Sequence, residues 1–254
     1  RHIPEGFNCV ITDVTSSEAV ISIMGPNSGK LLSRLSKEDW SADTFPFGTF
    51  REAELGMAVC RAHRISYVGE SGWEIYVSTE MAVYLFDLIF EIAQEFGSFL
   101  AGMHALDSCR IENGFRHIGH DITYEDHVLE AGLGFAVKCD KVAGRLGDFI
   151  GRASVEKKKE TGLSRMLLQF KLIDERVQLF GKEPITLSGK PISFLTSASF
   201  SHSTGSAIGM GYVPIDPSEN IDSVLEGDMS INVAGVERRA HVSIQPFVRS
   251  RTRD

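Results

Sequence analysis

The pattern of apolar and polar positions predicts a few amphipathic helices among many short strands. The clearest helix has apolar residues at i, i+4, i+7, i+8, i+11 and i+15: Met81, Leu85, Leu88, Ile89, Ile92 and Phe96. That spacing places these side chains on one helical face, and a glycine such as Gly97 commonly ends a helix. Shorter helices are predicted in GPNSGKLLSRLS, in HALDSCRIEN before Gly114, and in GRASVEKKKETG.

Strands are predicted wherever short β-rich runs alternate with turn residues. Two such runs lie near the start of the chain, CVITDV and AVISIMG. Further runs follow residue 160, separated by Gly, Pro, Ser and Asp: RMLLQFKL, PISFLTSASF, AIGMGYV, GDMSINVAG and RRAHVSIQPF. Their spacing predicts a small antiparallel barrel or sandwich. The expected fold class is therefore α+β, with an antiparallel-sheet-rich domain in residues 1–160 and the barrel or sandwich in residues 161–254.

The segment RISYVGESGWEIYV, residues 64–77, predicts a tight hairpin with a glutamate in its returning strand. If Glu70 and Ser71 form a two-residue loop, Tyr67 lies opposite Glu74, and opposed residues share one face of the sheet. The other, core-facing side then carries Trp73, Ile75 and Val77. A carboxylate beside an aromatic ring suits a flat heterocycle with two adjacent N–H donors. The pattern alone is also typical of an exposed glutamate on a solvated strand face.

Composition and charge narrow the class of protein. The chain has 254 residues, is 43% hydrophobic and 24% charged, and carries a formal net charge of −8. This is a globular composition, and its acidic balance argues against nucleic acid as the main partner. The basic run VRSRTR near the end is predicted to be a solvated tail. No apolar run approaches the roughly 20 residues needed to span a bilayer, so no membrane partner is expected.

The cysteines indicate the compartment. Cys9, Cys60, Cys109 and Cys139 are far apart and form no CxxC pair. Such spacing is typical of reduced thiols and not of a disulfide framework or a zinc site. A cytoplasmic location is therefore expected, or the mitochondrial matrix if the source is eukaryotic. The chain begins at Arg1 and not at a methionine, which indicates a piece of a longer protein.

Three other motifs are weak candidates for chemistry. The GxxxGKL run that ends at Lys30 and Leu31 is one residue short of a phosphate loop and lacks its hydroxyl residue. The run RHIGHD carries His117, His120 and Asp121, but its HxxH spacing lacks the glutamate of metal motifs, so a polar turn without metal is predicted. The run SASFSHSTGS lacks a nucleophile elbow and is predicted to be a strand and loop of the barrel.

Four motifs in the same order resemble the aminomethyltransferase family, the tetrahydrofolate-binding T-proteins of glycine cleavage. They are YVGESGWEIYV, ALDSCRIENGFRHIGHDI, LEAGLGFAVK and DFIGRASV. The first two resemble more closely the C-terminal folate-binding region of FAD-dependent sarcosine and dimethylglycine dehydrogenases. Leu106 supports this closer likeness, because the glycine-cleavage enzymes carry an arginine there and the dehydrogenases an apolar residue.

The resemblance implies a fold, a cofactor and a set of site residues. It implies a folate-binding domain in residues 1–160 and a C-terminal β-barrel in residues 161–254. It implies tetrahydrofolate as cofactor, bound by Glu74 at the pterin edge, by Tyr67 in the same pocket, and by Arg110. The implied function is one-carbon transfer from a small methylated amine, forming 5,10-methylenetetrahydrofolate. FAD is implied only in an upstream flavin domain, and the chain itself has no GxGxxG fingerprint.

The resemblance also implies what the chain lacks. The family's aspartate near folate N5 lies in an N-terminal third of the domain that has no matching motif here. No catalytic residue is therefore assigned, and the chain is expected to be a fragment that is inactive alone. A stand-alone aminomethyltransferase of the glycine-cleavage type and a non-catalytic folate-binding module remain alternative hypotheses.

Overall fold

The computed structural model describes residues 3, 5–139, 149–173, 177–218 and 220–253, and the backbone of 141–142 and 145–146. Its contacts divide the chain into two compact units. The first unit is Arg1–Ala101 with Ser250–Asp254, and the second unit is Gly102–Arg249. The domain division at residues 160 and 161 stays a prediction.

The first unit is built on an antiparallel sheet with strand order β1-β4-β3-β2. The strands are β1 (Glu18–Met24), β2 (Phe50–Leu55), β3 (Ala58–His63) and β4 (Gly72–Ser78). The helices are α1 (Ser28–Leu35) and α2 (Thr79–Ala93), with 3-10 turns at Thr15–Ser17 and Gln94–Phe96. Both helices pack on one face of the sheet, because alternate residues of each strand are apolar and point to that face.

The predicted apolar stripe of α2 is confirmed as the inner face of a helix. Leu85 and Ile89 are buried against the sheet, and Met81, Ile92 and Phe96 pack around them. Leu88, the sixth residue of the predicted stripe, is half-buried and lies outside this cluster. The helix tightens into the 3-10 turn and ends at Gly97, whose φ of 63° lies in the left-handed region that favours glycine.

Two sequence predictions for the first unit need correction. The run CVITDV, residues 9–14, forms no strand, and its Val10 and Ile11 side chains are 83% and 86% exposed. β-rich composition is insufficient there because a strand also needs a neighbour to pair with. The β2–β3 hairpin, in contrast, was not predicted. It reverses at Gly56 and Met57, and Gly56 has a φ of 59°.

The second unit contains a closed six-strand barrel with order β10-β7-β12-β11-β8-β9. Its strands are β7 (Arg165–Leu172), β8 (Pro184–Leu187), β9 (Lys190–Ser201), β10 (Ser206–Pro214), β11 (Met229–Val233) and β12 (Val236–Ser243). The remaining elements are α3 (Met103–Glu112), α4 (Arg152–Thr161), α5 (Ile221–Leu225), a 3-10 turn at Gly134–Ala136, and the two-residue strands β5 (Lys141–Val142) and β6 (Arg145–Leu146).

The barrel interior is apolar and explains the predicted strands. Leu168, Phe170, Ile185, Leu195 and Ile231 are all fully or almost fully buried inside it. Each of the predicted runs after residue 160 forms one strand, and the short strand β8 is the one that was not predicted. The predicted α+β class with a C-terminal antiparallel barrel is therefore confirmed. Within the described ranges, no helix is long and apolar enough to cross a membrane.

Candidate functional site

Glu74 lies in the middle of β4, on the sheet face that the helices do not cover. Its neighbours in the strand, Trp73 and Ile75, are buried on the helix side, so Glu74 and Tyr76 project from the opposite face. The Tyr76 hydroxyl donates a hydrogen bond to Glu74 Oε2 at 3.0 Å. In the described part of the chain, no hydrogen bond is seen at Oε1. The carboxylate is therefore oriented by one neighbour and keeps acceptor capacity for a ligand.

The residue opposite Glu74 is His63 and not the predicted Tyr67. Strand β3 pairs His63 with Glu74 and then ends, and a loop of residues 64–71 leads into β4. Arg64 continues the backbone contacts of β3 with the β2 side of the sheet. Its backbone N–H donates to Thr49 O at 2.9 Å, and its buried guanidinium donates to Phe45 O at 2.8 Å. Tyr67 is half-buried within this loop. The predicted two-residue hairpin is therefore wrong.

Three aromatic rings form a row across β2, β3 and β4 beside Glu74. The rings of Phe50 and His63 are stacked, with centroids 5.4 Å apart and an interplanar angle of 21°. The rings of His63 and Tyr76 follow at 4.8 Å and 51°. The Phe50 side chain is 65% exposed. Sequence reasoning missed this aromatic row because it missed the β2–β3 hairpin, although alternation around Gly56 carried the signal.

Tyr76 remains a hydrogen-bond donor over the physiological pH range. Burial raises the pKa of its hydroxyl, and the hydrogen bond to Glu74 raises it further. Arg61, opposite Tyr76 in β3, is paired with Glu18 at 2.6 Å. The Arg61 guanidinium is thereby paired with a carboxylate other than that of Glu74.

Arg110 lies in the second unit, whereas Tyr67 and Glu74 lie in the first. Its guanidinium is 1% exposed and is held by internal partners. Nε donates to Asp107 at 2.8 Å, Nη1 to Asp121 at 2.6 Å and to Phe115 O at 3.2 Å, and Nη2 to Ser197 at 2.8 Å. The structure describes Arg110 as the centre of a buried polar network, and its role toward a cofactor stays a prediction.

The RHIGHD segment forms the predicted polar turn. The buried Asp121 carboxylate accepts from the His117 backbone N–H at 2.9 Å and from Arg110, and the His117 and His120 rings stack at 4.5 Å. Among the residues that the structure describes, no group of three or more His, Cys, Asp or Glu side chains is arranged to hold a metal ion. The Ser201 and Ser203 hydroxyls donate to the buried Glu112 carboxylate at 2.8 and 2.7 Å, as parts of a strand end and its loop.

The basic C-terminal run has exposed arginine side chains, as its composition predicts, but it is bonded to the loop of residues 64–71 and is not a free tail. The Arg251 N–H donates to Gly69 O at 2.7 Å, and Arg251 Nη2 pairs with Glu70 Oε1 at 2.6 Å. Thr252 is 8% exposed, and Arg253 lies 5.6 Å from the Phe47 ring centroid. The Glu70 carboxylate and the Gly69 carbonyl supply the partners that the sequence pattern could not show. Residues 250–253 are called the C-terminal strap below.

Two family models match the chain. The model of the GCVT N-terminal domain matches residues 1–141. The model of the glycine cleavage T-protein C-terminal barrel domain matches residues 165–249, the segment that forms the closed barrel.

Several characterised proteins are similar in sequence. A 4-methylaminobutanoate oxidase (formaldehyde-forming) from Paenarthrobacter nicotinovorans is 36% identical over 247 residues, 97% of this chain and 29% of the oxidase. The mitochondrial dimethylglycine dehydrogenase of Homo sapiens is 36% identical over 214 residues, 84% of this chain and 24% of the dehydrogenase. An aminomethyltransferase from Halothermothrix orenii is 37% identical over 218 residues, 85% of this chain and 59% of the transferase. The chain thus spans only part of each relative.

One solved structure is similar in fold. The glycine cleavage system aminomethyltransferase T from Bartonella henselae matches with a TM-score of 0.64 at 19% identity, covering 94% of this chain and 86% of that chain. At this identity the likeness shows the fold alone.

Proposed function

The chain belongs to the glycine cleavage T-protein (aminomethyltransferase) family, and on that premise we propose that its first unit binds tetrahydrofolate at Glu74 for one-carbon transfer. The observation that carries the proposal is the placement of Glu74. Its carboxylate projects from the uncovered face of the sheet and is oriented by the Tyr76 hydroxyl. The aromatic row lies beside it.

The Glu74 carboxylate and the aromatic row suit the polar edge and the flat rings of a pterin. The 2-amino-4-oxo edge of a pterin presents two adjacent N–H donors, and a carboxylate has the lone pairs to accept both while it also accepts from a tyrosine. Aromatic rings next to the carboxylate offer contact area for a flat heterocycle. In this arrangement Glu74 fixes the edge of the ring, and Tyr76 fixes Glu74. We keep Tyr67, in the adjoining loop, and Arg110 as proposed cofactor-binding residues.

The proposed context is a larger dehydrogenase of N-methyl amines. The likeness to the human dimethylglycine dehydrogenase supports it, and so does Leu106, which matches the dehydrogenase pattern. When bound, tetrahydrofolate would supply the N5 nucleophile that takes the methylene, giving 5,10-methylenetetrahydrofolate. The residues of this chain would contribute positioning and exclusion of water from the pterin edge. A flavin domain elsewhere in the protein would supply the oxidised amine.

Calorimetric titration of tetrahydrofolate into the 254-residue chain tests the binding proposal. We expect Glu74→Gln to weaken binding by roughly 1.5–3 kcal/mol, the usual scale for a hydrogen bond to a charged group. Glu54→Gln is the matched control, because Glu54 is an exposed glutamate on strand β2 of the same sheet. Equal affinities for the wild type and for Glu74→Gln would remove Glu74 from the site.

A stand-alone aminomethyltransferase is the second candidate. The specific observation in its favour is the Halothermothrix orenii enzyme, 37% identical to this chain. The two candidates differ in what the isolated chain does with tetrahydrofolate and formaldehyde. The dehydrogenase-part proposal expects methylenetetrahydrofolate at no more than the uncatalysed rate, because it assigns generation of the one-carbon donor to another part of the protein. A clear rate enhancement, measured by absorbance against a no-protein blank, would favour the stand-alone enzyme.

A further inference from the structure

The C-terminal strap contacts the loop of residues 64–71 at two adjacent positions. Its backbone donates to the Gly69 carbonyl, and Arg251 Nη2 donates to the Glu70 carboxylate. Gly69 is buried and has a φ of 81°, a left-handed conformation that favours glycine. The strap therefore contacts the loop backbone at Gly69, where the loop bends, as well as the Glu70 side chain.

This loop carries one proposed site residue and leads directly into the strand that carries another. Tyr67 lies within it, and Glu74 follows in β4. Its two ends are anchored to the first unit: the Arg64 N–H donates to Thr49 O at 2.9 Å, and the Ser71 carbonyl accepts from the Gly25 N–H at 2.8 Å. Between these anchors, the strap contacts residues 69 and 70.

A surface cleft lies beside the loop. The cleft has a volume of about 540 Å³ and is lined by Arg64, Glu70, Ser71, Trp73 and Arg251, among others. The Arg251–Glu70 ion pair lies at the wall of this cleft, and it links the strap to the solvent-facing side of the loop.

We infer that Arg251 is a positioning residue for the proposed folate site. It holds the 64–71 loop in the conformation that presents Tyr67 and sets the start of β4, and it acts through Gly69 and Glu70 without touching the ligand. The inference rests on the proposed function. A loop that is ordered before binding costs less to order on binding, so loss of the Arg251–Glu70 contact weakens affinity without unfolding the unit. The backbone bond to Gly69 remains when the side chain is removed.

The test uses the full chain and compares Arg251→Ala with Arg34→Ala. Arg34 forms an ion pair with Glu95 in the same unit, also at 2.6 Å, but away from the loop. We expect Arg251→Ala to bind tetrahydrofolate about three- to tenfold more weakly, as for the ordering of one or two side chains, and Arg34→Ala to bind like the wild type. Hydrogen exchange of residues 64–71 should be faster in Arg251→Ala only. The charge swap Arg251→Glu with Glu70→Arg should restore part of the affinity.

The outcomes separate the strap from the proposed function. Normal affinity and normal loop exchange in Arg251→Ala, with weakened binding in Glu74→Gln, would overturn the positioning role and leave the folate site standing. Failure of the wild type to bind tetrahydrofolate would overturn both. Equal loss in Arg251→Ala and Arg34→Ala would also overturn the inference, because it would show a general effect of surface charge.

Discussion

The two units use similar polar groups in opposite ways. In the second unit, Arg110 and Asp121 are 1% and 0% exposed, and each is bonded to several protein partners. In the first unit, Glu74 and Tyr76 are half-buried on the sheet face opposite α1 and α2, which is called the open face. A closed barrel leaves no strand edge, and α3 packs on its outside. A sheet covered on one side leaves a whole face. Protein partners therefore engage the polar groups around Arg110, whereas the Glu74 carboxylate on the open face keeps acceptor capacity for a ligand.

The largest expected loss of stability comes from breaking the buried polar network around Arg110 in the second unit. We expect Arg110→Met to cost about 3–5 kcal/mol of unfolding free energy, because Asp121 is left as an uncompensated buried charge. Arg239→Met is the control, since its guanidinium is 77% exposed and 3.9 Å from Asp228. Denaturant unfolding followed by circular dichroism measures both variants. A loss of unfolding free energy below about 1 kcal/mol for Arg110→Met would contradict the prediction, because exposed ion pairs contribute no more than that.

The next prediction asks whether the two cores respond separately. Leu85 in α2 and Leu168 in the barrel are each 0% exposed, and they belong to different core clusters. Each alanine substitution should cost about 2–5 kcal/mol. The two tryptophans, Trp40 and Trp73, both lie in the core of the first unit, so their fluorescence reports on that unit. Leu85→Ala should lower the fluorescence midpoint more than Leu168→Ala does. Identical shifts would mean that the chain unfolds as one cooperative body.

A third prediction concerns how the stability of the second unit depends on pH in acid. Burial raises the pKa of Glu130, but hydrogen bonds from Lys158, Arg165 and Ser164 outweigh burial and lower the pKa from 4.5 to about 2. A carboxylate with a depressed pKa stabilises the folded state above pH 4.5, and that stability is lost as the pH falls toward 2.

The variant Glu130→Gln should therefore be less stable at pH 7, with a flatter pH dependence between pH 4.5 and 2. The slope should fall by up to about 1.4 kcal/mol per pH unit, the value for one proton. Unfolding in urea at a series of pH values measures it. Glu160→Gln, an exposed glutamate on α4, should keep the wild-type slope. Parallel pH profiles for the wild type and Glu130→Gln would contradict the prediction.

The smallest effect is expected on the open face. Tyr76→Phe removes the hydrogen bond to Glu74 Oε2 and should weaken tetrahydrofolate binding by about 1 kcal/mol, with little change in unfolding free energy. Tyr84→Phe is the matched control, because the Tyr84 hydroxyl bonds the Met57 N–H at 3.1 Å. Titration calorimetry compares the two. A loss of stability in Tyr76→Phe without a loss of affinity would make this face structural, like the network around Arg110.

The sequence best predicted the elements in which the spacing of apolar residues shows which face is buried. The stripe from Met81 to Phe96 and the terminating Gly97 predicted α2 correctly, and the regular short runs after residue 160 predicted the barrel. Prediction failed where a strand depends on a partner. The run CVITDV has the composition of a strand but pairs with nothing in the described structure, whereas the less apolar β2 and β3 pair with each other.

By itself, the sequence determined the family through its ordered motifs, and it determined that Glu74 projects away from the core, because the side chains of a strand alternate between its two faces. Only the tertiary structure decided what surrounds that carboxylate. His63 replaced Tyr67 as its opposite residue in β3, because the pairing of β3 with β4 ends at His63 and residues 64–71 form a loop. The C-terminal strap reached Glu70 although 181 residues separate Arg251 from it. Contacts between distant segments depend on the three-dimensional path of the chain, and the local pattern of apolar and polar residues does not show that path.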